Sequence, residues 1–384
     1  IVDTTVPVIS GSTITTPTND NTPDFIISSS EAGIITYGGF CSSSTTSATA
    51  GTITVTLYSL SDGTYSNCTI TVTDSAGNSV TLNITSFTVA IPPTIEEVTF
   101  VTTPTNDSTP DYTFSSDEAG TITYGGSCSS NTTLATTNNN TITLNTLTER
   151  TYSNCTITVT DSAGNASSAL SVSIFVVDTT APSVSSFTLS DVALKVGETA
   201  TVTLVFSEAV ASFSSAAYIT VANGTLAVMS SADNVTWAGT FTPTADTEDA
   251  SNVLSLATSY TDTAGNTGPA STTANYAVET LAPSVDNFTL SDTALKAGDT
   301  ATVTLRFSEA VASFASGDDI TVASGSGSLA NMTSTDNVTW TGTFTPTANT
   351  EDDNNTLSLA TSYTDTAGNA GPAATTANYE VETL

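Results

Sequence analysis

The side chains with chemical potential in this chain are carboxylates, and they recur at fixed places in a repeating sequence. Aspartates open the turns Asp74 to Asn78 and Asp161 to Asn165 (DSAGN) and Asp262 to Asn266 and Asp365 to Asn369 (DTAGN). Glutamates sit in the triplets at Ser30, Ser207 and Ser308 (SEA) and at Asp117 (DEA). Asp3, Asp178 and Glu279 lie in the segments that join one repeat to the next. Three carboxylates with backbone carbonyls and water suit calcium, which takes six to eight oxygens at ~2.3–2.6 Å. The other reading of each turn is that its aspartate caps its own hairpin through an Asx-type hydrogen bond.

The rest of the catalytic repertoire is thin. There is no histidine and there are four cysteines, which removes the usual general base and zinc ligand. The acidic segments Asp246, Glu248, Asp249 and Glu351, Asp352, Asp353 could be recruited to a two-carboxylate glycosidase argument. No aromatic-lined cleft is suggested around them, and repeated modules would need repeated active sites, so the chain is read as not an enzyme. With 37 acidic against 4 basic residues and a formal charge of −33, it repels nucleic-acid phosphates and anionic headgroups. Neither nucleic-acid binding nor membrane insertion is expected. The 38% hydrophobic content, with 14 Phe and 11 Tyr, argues for packed cores rather than disorder.

Self-comparison gives the organisation. TPTND at Thr16 recurs at Thr103, Cys41 at Cys128, Cys68 at Cys155 and Asp74 at Asp161, always 87 positions on. In the second half FTLSD at Phe187 recurs at Phe288 and FSEAV at Phe206 recurs at Phe307, 101 on, whereas Trp237 recurs at Trp340 and Asp262 at Asp365, 103 on. A two-residue insertion near Ser324 to Ser328 explains the step. The joints IVDTTVP at Ile1, VAIPPT at Val89, VVDTTAP at Val176 and VETLAP at Val278 set four modules at 1–90, 91–178, 179–279 and 280–384. The chain stops in a further joint, VETL, which predicts continuation into a fifth module.

Each module reads as short period-2 runs rich in Val, Thr and aromatics, separated by Gly, Asn, Asp and Pro turns. The third has about seven, near Val184 to Leu189, Ala200 to Phe206, Tyr218 to Ala222, Leu226 to Ser230, Val235 to Phe241, Val253 to Tyr260 and Ala274 to Val278. No helical periodicity stands out. Seven short strands in about 100 residues predict an all-β immunoglobulin-like sandwich with Greek-key topology, a small barrel being the alternative. Four in tandem predict an elongated array. In such a sandwich the loops alternate between two poles. The joint, the end of the second strand and the turn after the sixth then share the N-terminal pole, which assembles Asp3, Glu31 and Asp74 in module one, Asp178, Glu208 and Asp262 in module three, and Glu279, Glu309 and Asp365 in module four. Module two has Ala90 at the joint, leaving Glu118 and Asp161 unless Glu96 or Glu97 substitutes. The Asp246 to Asp249 segment falls at the opposite pole, beside the next joint, where it adds ligands.

Cys41 and Cys68, like Cys128 and Cys155, are 27 positions apart within one module, and no CxxC spacing suggests a metal. They are expected to form one disulfide per module, with two buried thiols as the alternative, and a bridge implies an oxidising, extracellular setting. The sequons at Asn67, Asn83, Asn131, Asn154, Asn234 and Asn337 are what a chain this rich in Asn, Ser and Thr generates by chance.

The VDTTAP joints, the SEA triplets and the DSAGN or DTAGN turns resemble the bacterial immunoglobulin-like repeats of giant extracellular adhesins and biofilm surface proteins, over essentially the whole chain. The resemblance implies calcium-stiffened spacers at the cell surface, and neighbouring modules as the main partners. The expected role is a structural stalk, or the building block of a fibre or surface layer if copies self-associate. The alternative is a glycan- or protein-binding adhesive module using Tyr37, Phe40 and Tyr124 around the two YGG motifs.

Overall fold

A computed structural model describes residues 3–384; Ile1 and Val2 of the opening joint lie outside the described residues. The regular structure of the chain is almost entirely strand, and the chain divides into two compact units, the first ending at Thr179 and the second running from Thr180 to Leu384. Buried apolar residues form two clusters in each unit, one within 14–89 and one within 101–177, then one within 187–278 and one within 288–381.

In the first unit, Ile9–Gly11, Asp24–Ser29 and Gly51–Thr56 form one sheet, Ser47–Ala48, Gly33–Gly38, Thr69–Thr73 and Ser79–Asn83 form a second, and Gly63–Tyr65 pairs with Phe87–Val89. Period-2 patterning makes the sandwich. Phe25, Ile27 and Ser29 are buried along one strand and Ile70 and Val72 along another, while the residues between them are exposed or half-buried. The second sandwich of this unit repeats the scheme 87 residues on, with Tyr112 and Phe114 facing Ile157 and Val159.

In the second unit the strands Val184–Leu189, Ala200–Phe206, Thr236–Pro243 and Gly224–Leu226 make one sheet. Ile219–Thr220, Ser255–Leu256 and Ser271–Thr272 make the facing one. Val202, Leu204 and Phe206 point inward as their alternation requires. Phe206 packs against Tyr260 at 4.9 Å between ring centroids, and half-buried Trp237 packs edge-on against Phe213 at 4.8 Å.

Three features depart from the sequence reading. A one-turn helix, Ser215–Tyr218, precedes the third strand, with a counterpart at Ser316–Asp319. Ala193–Lys195 pairs in parallel with Tyr276–Glu279. The acidic segment, which the sequence reading left out of its strands, runs into the strand Glu248–Asn252, antiparallel to that same strand, which places Glu248 opposite Glu279.

Candidate metal centre

The four acidic turns are built alike. In the first, Asp74 Oδ1 accepts the backbone N–H groups of Ala76 and Asn78 at 2.8 Å each, and Oδ2 accepts Asn78 Nδ2 at 2.8 Å. Gly77 has φ +94°, a conformation that side chains rarely adopt, and nothing stands near the position of its absent Cβ, so conformation alone demands glycine there. Asp161, Asp262 and Asp365 are likewise capped by turn amides, each accepting the backbone N–H and the Nδ2 of Asn165, Asn266 or Asn369. The Asx cap is therefore present in every module. It does not use up the carboxylate, because Oδ2 takes one donor and keeps a lone pair for a cation. The bond from Asn78 is the leading cause holding the Asp74 carboxyl below the usual range, aided by the turn amides and opposed by burial.

The same asparagine ties the turn to the joint. Asn78 Nδ2 donates to Asp3 O at 3.2 Å, Asn165 Nδ2 to Ala90 O at 2.8 Å, and Asn369 Nδ2 to Glu279 O at 2.6 Å. The acceptor is the backbone, so the tie survives in module two, where the joint residue is alanine.

The carboxylates gather to different degrees. In module one, oxygens of Asp3, Glu31 and Asp74 all lie within 4.8 Å of one another. Ligands ~2.3–2.6 Å from one calcium stand at most ~5 Å apart, so this set fits a single ion. In module three, Asp178 belongs to the first unit, and Glu208 and Asp262 belong to the second. In module four, Glu279, Glu309 and Asp365 line one pocket together with Glu248 from the preceding sandwich. Burial foremost, then the charges of Asp365 and Glu248, pushes the Glu309 carboxyl up.

Module two is organised differently. Glu118 is hydrogen-bonded to Asp62, a residue of module one that sequence reading did not single out. That bond, burial and the charges of Asp62, Asp117 and Asp161 push Glu118 up to about 7, which disfavours the ionised form that a metal ligand needs. Asp62 also accepts the Ile91 N–H of the joint at 3.0 Å. Glu97 does not substitute for the missing joint carboxylate, because it accepts Tyr112 Oη at 3.0 Å and Ser173 N at 2.9 Å. Glu96 lies exposed on the strand Ile95–Thr99.

Cys41 is bonded to Cys68, and Cys128 to Cys155, with Cα atoms 5.3 and 5.2 Å apart, all four side chains buried. Each bridge joins the segments just beyond two neighbouring strands of one sheet, Gly33–Gly38 with Thr69–Thr73 and Gly120–Gly125 with Thr156–Thr160. The YGG motifs serve this joint. Gly39 has φ +72°, and a Cβ there would stand 2.0 Å from Asn67 O. The hydroxyls of half-buried Tyr37 and Tyr124 donate to Thr45 O and Thr132 O, whereas Phe40 is 75% exposed.

One family model, described as bacterial Ig-like domain, matches residues 178–278 and 279–381, and a second of the same description matches 8–90. No curated protein matches the chain. Among solved structures the chain is similar to an ICAM-5 D1-D4 ectodomain fragment at 10% identity and TM-score 0.38, covering 98% of this chain and 100% of that one. It is also similar to invasin, a bacterial integrin-binding protein, at 11% identity and TM-score 0.30, over 92% of this chain and 76% of that one. The Escherichia coli adhesin FdeC shows 12% identity and TM-score 0.29, over 75% and 96%. With more than half of its residues matched by one model, the chain belongs to the bacterial Ig-like domain family.

Proposed function

We propose that the chain is a non-enzymatic structural segment of an extracellular or cell-surface protein: a spacer that holds other domains away from a surface, or a unit of a fibre or surface layer. In this reading calcium binds at the N-terminal poles of modules one, three and four, through Asp3, Glu31 and Asp74, through Asp178, Glu208 and Asp262, and through Glu279, Glu309 and Asp365 with Glu248. The carrying observation is the convergence of the Asp3, Glu31 and Asp74 oxygens within 4.8 Å, beside a turn whose Asn78 also grips the joint backbone. Family membership and two buried disulfides support the extracellular setting. Among the described residues no helix is long and apolar enough to cross a membrane.

A bound ion offsets the repulsion of three carboxylates and links the joint to its module, which stiffens the array. Small-angle scattering and calorimetry in calcium and in chelator test this: calcium should narrow the range of conformations and raise the melting temperature, least at the first-to-second joint. Replacing Asp3 and Glu31 by Ala, which spares the Asp74 cap, should remove the response of module one. Identical profiles with and without calcium would reject the stiffening role. The exposed Phe40 favours a second reading, recognition of a glycan or protein, which glycan-array and cell-binding assays test. Its counterpart in module two is Ser127, so such a surface would not be repeated.

A further inference from the structure

We propose that the fourth sandwich holds a hard divalent cation between the Asp352 carboxylate and Asn355 Oδ1, at the place that the third sandwich fills with the amide of Asn223. This site lies within one module, takes both of its named ligands from the strand Glu351–Asn355, and is separate from the pole sets.

The two sandwiches of the second unit act as each other's control. In the third, Asn223 Nδ2 donates to Asp249 Oδ2 and to Asn252 Oδ1, both at 2.7 Å, so the two oxygens face a common point. Asn252 is held for this by its own Nδ2, which donates to Asp249 O at 2.8 Å and Tyr276 O at 3.2 Å. In the fourth, Asp352 and Asn355 occupy the same register, opposite Val381 and Tyr379, and Asn355 Nδ2 donates to Asp352 O at 3.0 Å and Tyr379 O at 3.2 Å. The amide cannot be turned over, because its oxygen would then face two carbonyls. Asn355 Oδ1 therefore looks to the point that Asn223 Nδ2 occupies in the third sandwich.

The donor is missing there because the sequence has changed. Where the third sandwich reads Ala222-Asn223-Gly224, the fourth reads Ala323-Ser324-Gly325-Ser326-Gly327. Ser326, fully buried, spends its hydroxyl on Ala323 O and on Tyr379 Oη, both at 2.8 Å, and sends nothing to Asn355. Asn355, 1% exposed, is left with a buried Oδ1 that has no hydrogen-bond partner among the described residues. Native interiors seldom leave such an acceptor unanswered.

Charge selects the occupant. Asp352 has lost the partial positive charge of an amide, and it lines a cavity of about 350 Å³ with Glu351, Asp353, Val381 and Glu382, to which no basic side chain contributes. A carboxylate and an amide oxygen directed to one point are hard oxygen donors of the kind that calcium-like ions take, with water completing the shell.

The test is calcium titration by calorimetry on the full chain and on two variants. Asp352→Asn keeps the shape and brings an amide that can donate to Asn355 Oδ1; the other replaces Ser324, Gly325 and Ser326 by a single Asn, as in the third sandwich. Each variant should bind one calcium fewer than the parent, whatever number the pole sets take, and in chelator each should melt no lower than the parent. Unchanged stoichiometry in Asp352→Asn, or crystals grown in calcium that show a water between Asp352 and Asn355, would overturn the proposal.

Discussion

Replacing Cys41 and Cys68 together by Ala removes a bridge that spans 27 positions of the first sandwich. In the chain-entropy picture, closing a loop of that size removes ~12 cal/mol/K from the unfolded ensemble, or ~3.5 kcal/mol at 25 °C. Both sulfurs are buried, so the loss of packing adds to this figure. For a domain of this size 1 kcal/mol moves the melting temperature by ~4–8 °C, so the first sandwich should melt ~14–28 °C lower. The molecule carries its own control, because the sandwiches between Thr180 and Leu384 contain no cysteine. Scanning calorimetry of the parent and the double variant, with peptide mapping under non-reducing conditions, reads both quantities. The transition of the first sandwich should move while the transitions of the second unit stay in place. A destabilisation under ~1 kcal/mol, or an equal shift in the second unit, would refute the claim that the bridge acts by constraining its own module.

Other expectations are equally direct. Glu118, hydrogen-bonded to Asp62 and pushed up to about 7, holds its proton more tightly folded than unfolded. The stability it contributes is fully present below the ordinary glutamate range near ~4.3 and is lost as pH rises through about 7, so in chelator the first unit should melt lower at pH 8 than at pH 5. Asp62→Asn should flatten that dependence. Gly77→Ala forces a side chain into φ +94° and should cost ~1–2 kcal/mol by denaturant titration, with no clash to add to it. Gly39→Ala should cost more, because its Cβ would meet Asn67 O as well. Phe241→Ala empties a fully buried site against Tyr276 and should cost ~3–5 kcal/mol, visible only in the transitions of the second unit.

What sequence alone determined is what rests on local chemistry. Period-2 alternation gave the inward faces of Ala200–Phe206 and Thr69–Thr73, because successive side chains on a strand must point to opposite sides. The DSAGN and DTAGN turns were legible from their residue types, and Gly77 and Gly265 within them take the positive φ that few other residues tolerate, while the repeats revealed themselves by spacing. Tertiary structure decided whatever depended on approach between distant segments. Only folding sets Asp62 against Glu118, makes a strand of the acidic segment from Glu248 that faces Glu279, and pairs Ala193–Lys195 in parallel with Tyr276–Glu279. The helical turns at Ser215–Tyr218 and Ser316–Asp319 are too short to leave a periodic signal. Asn223 and Asn355 make the same point at one atom. As letters they are ordinary strand-end asparagines, and only the register of the sheet shows that one is the plug and the other belongs to the socket that has lost it.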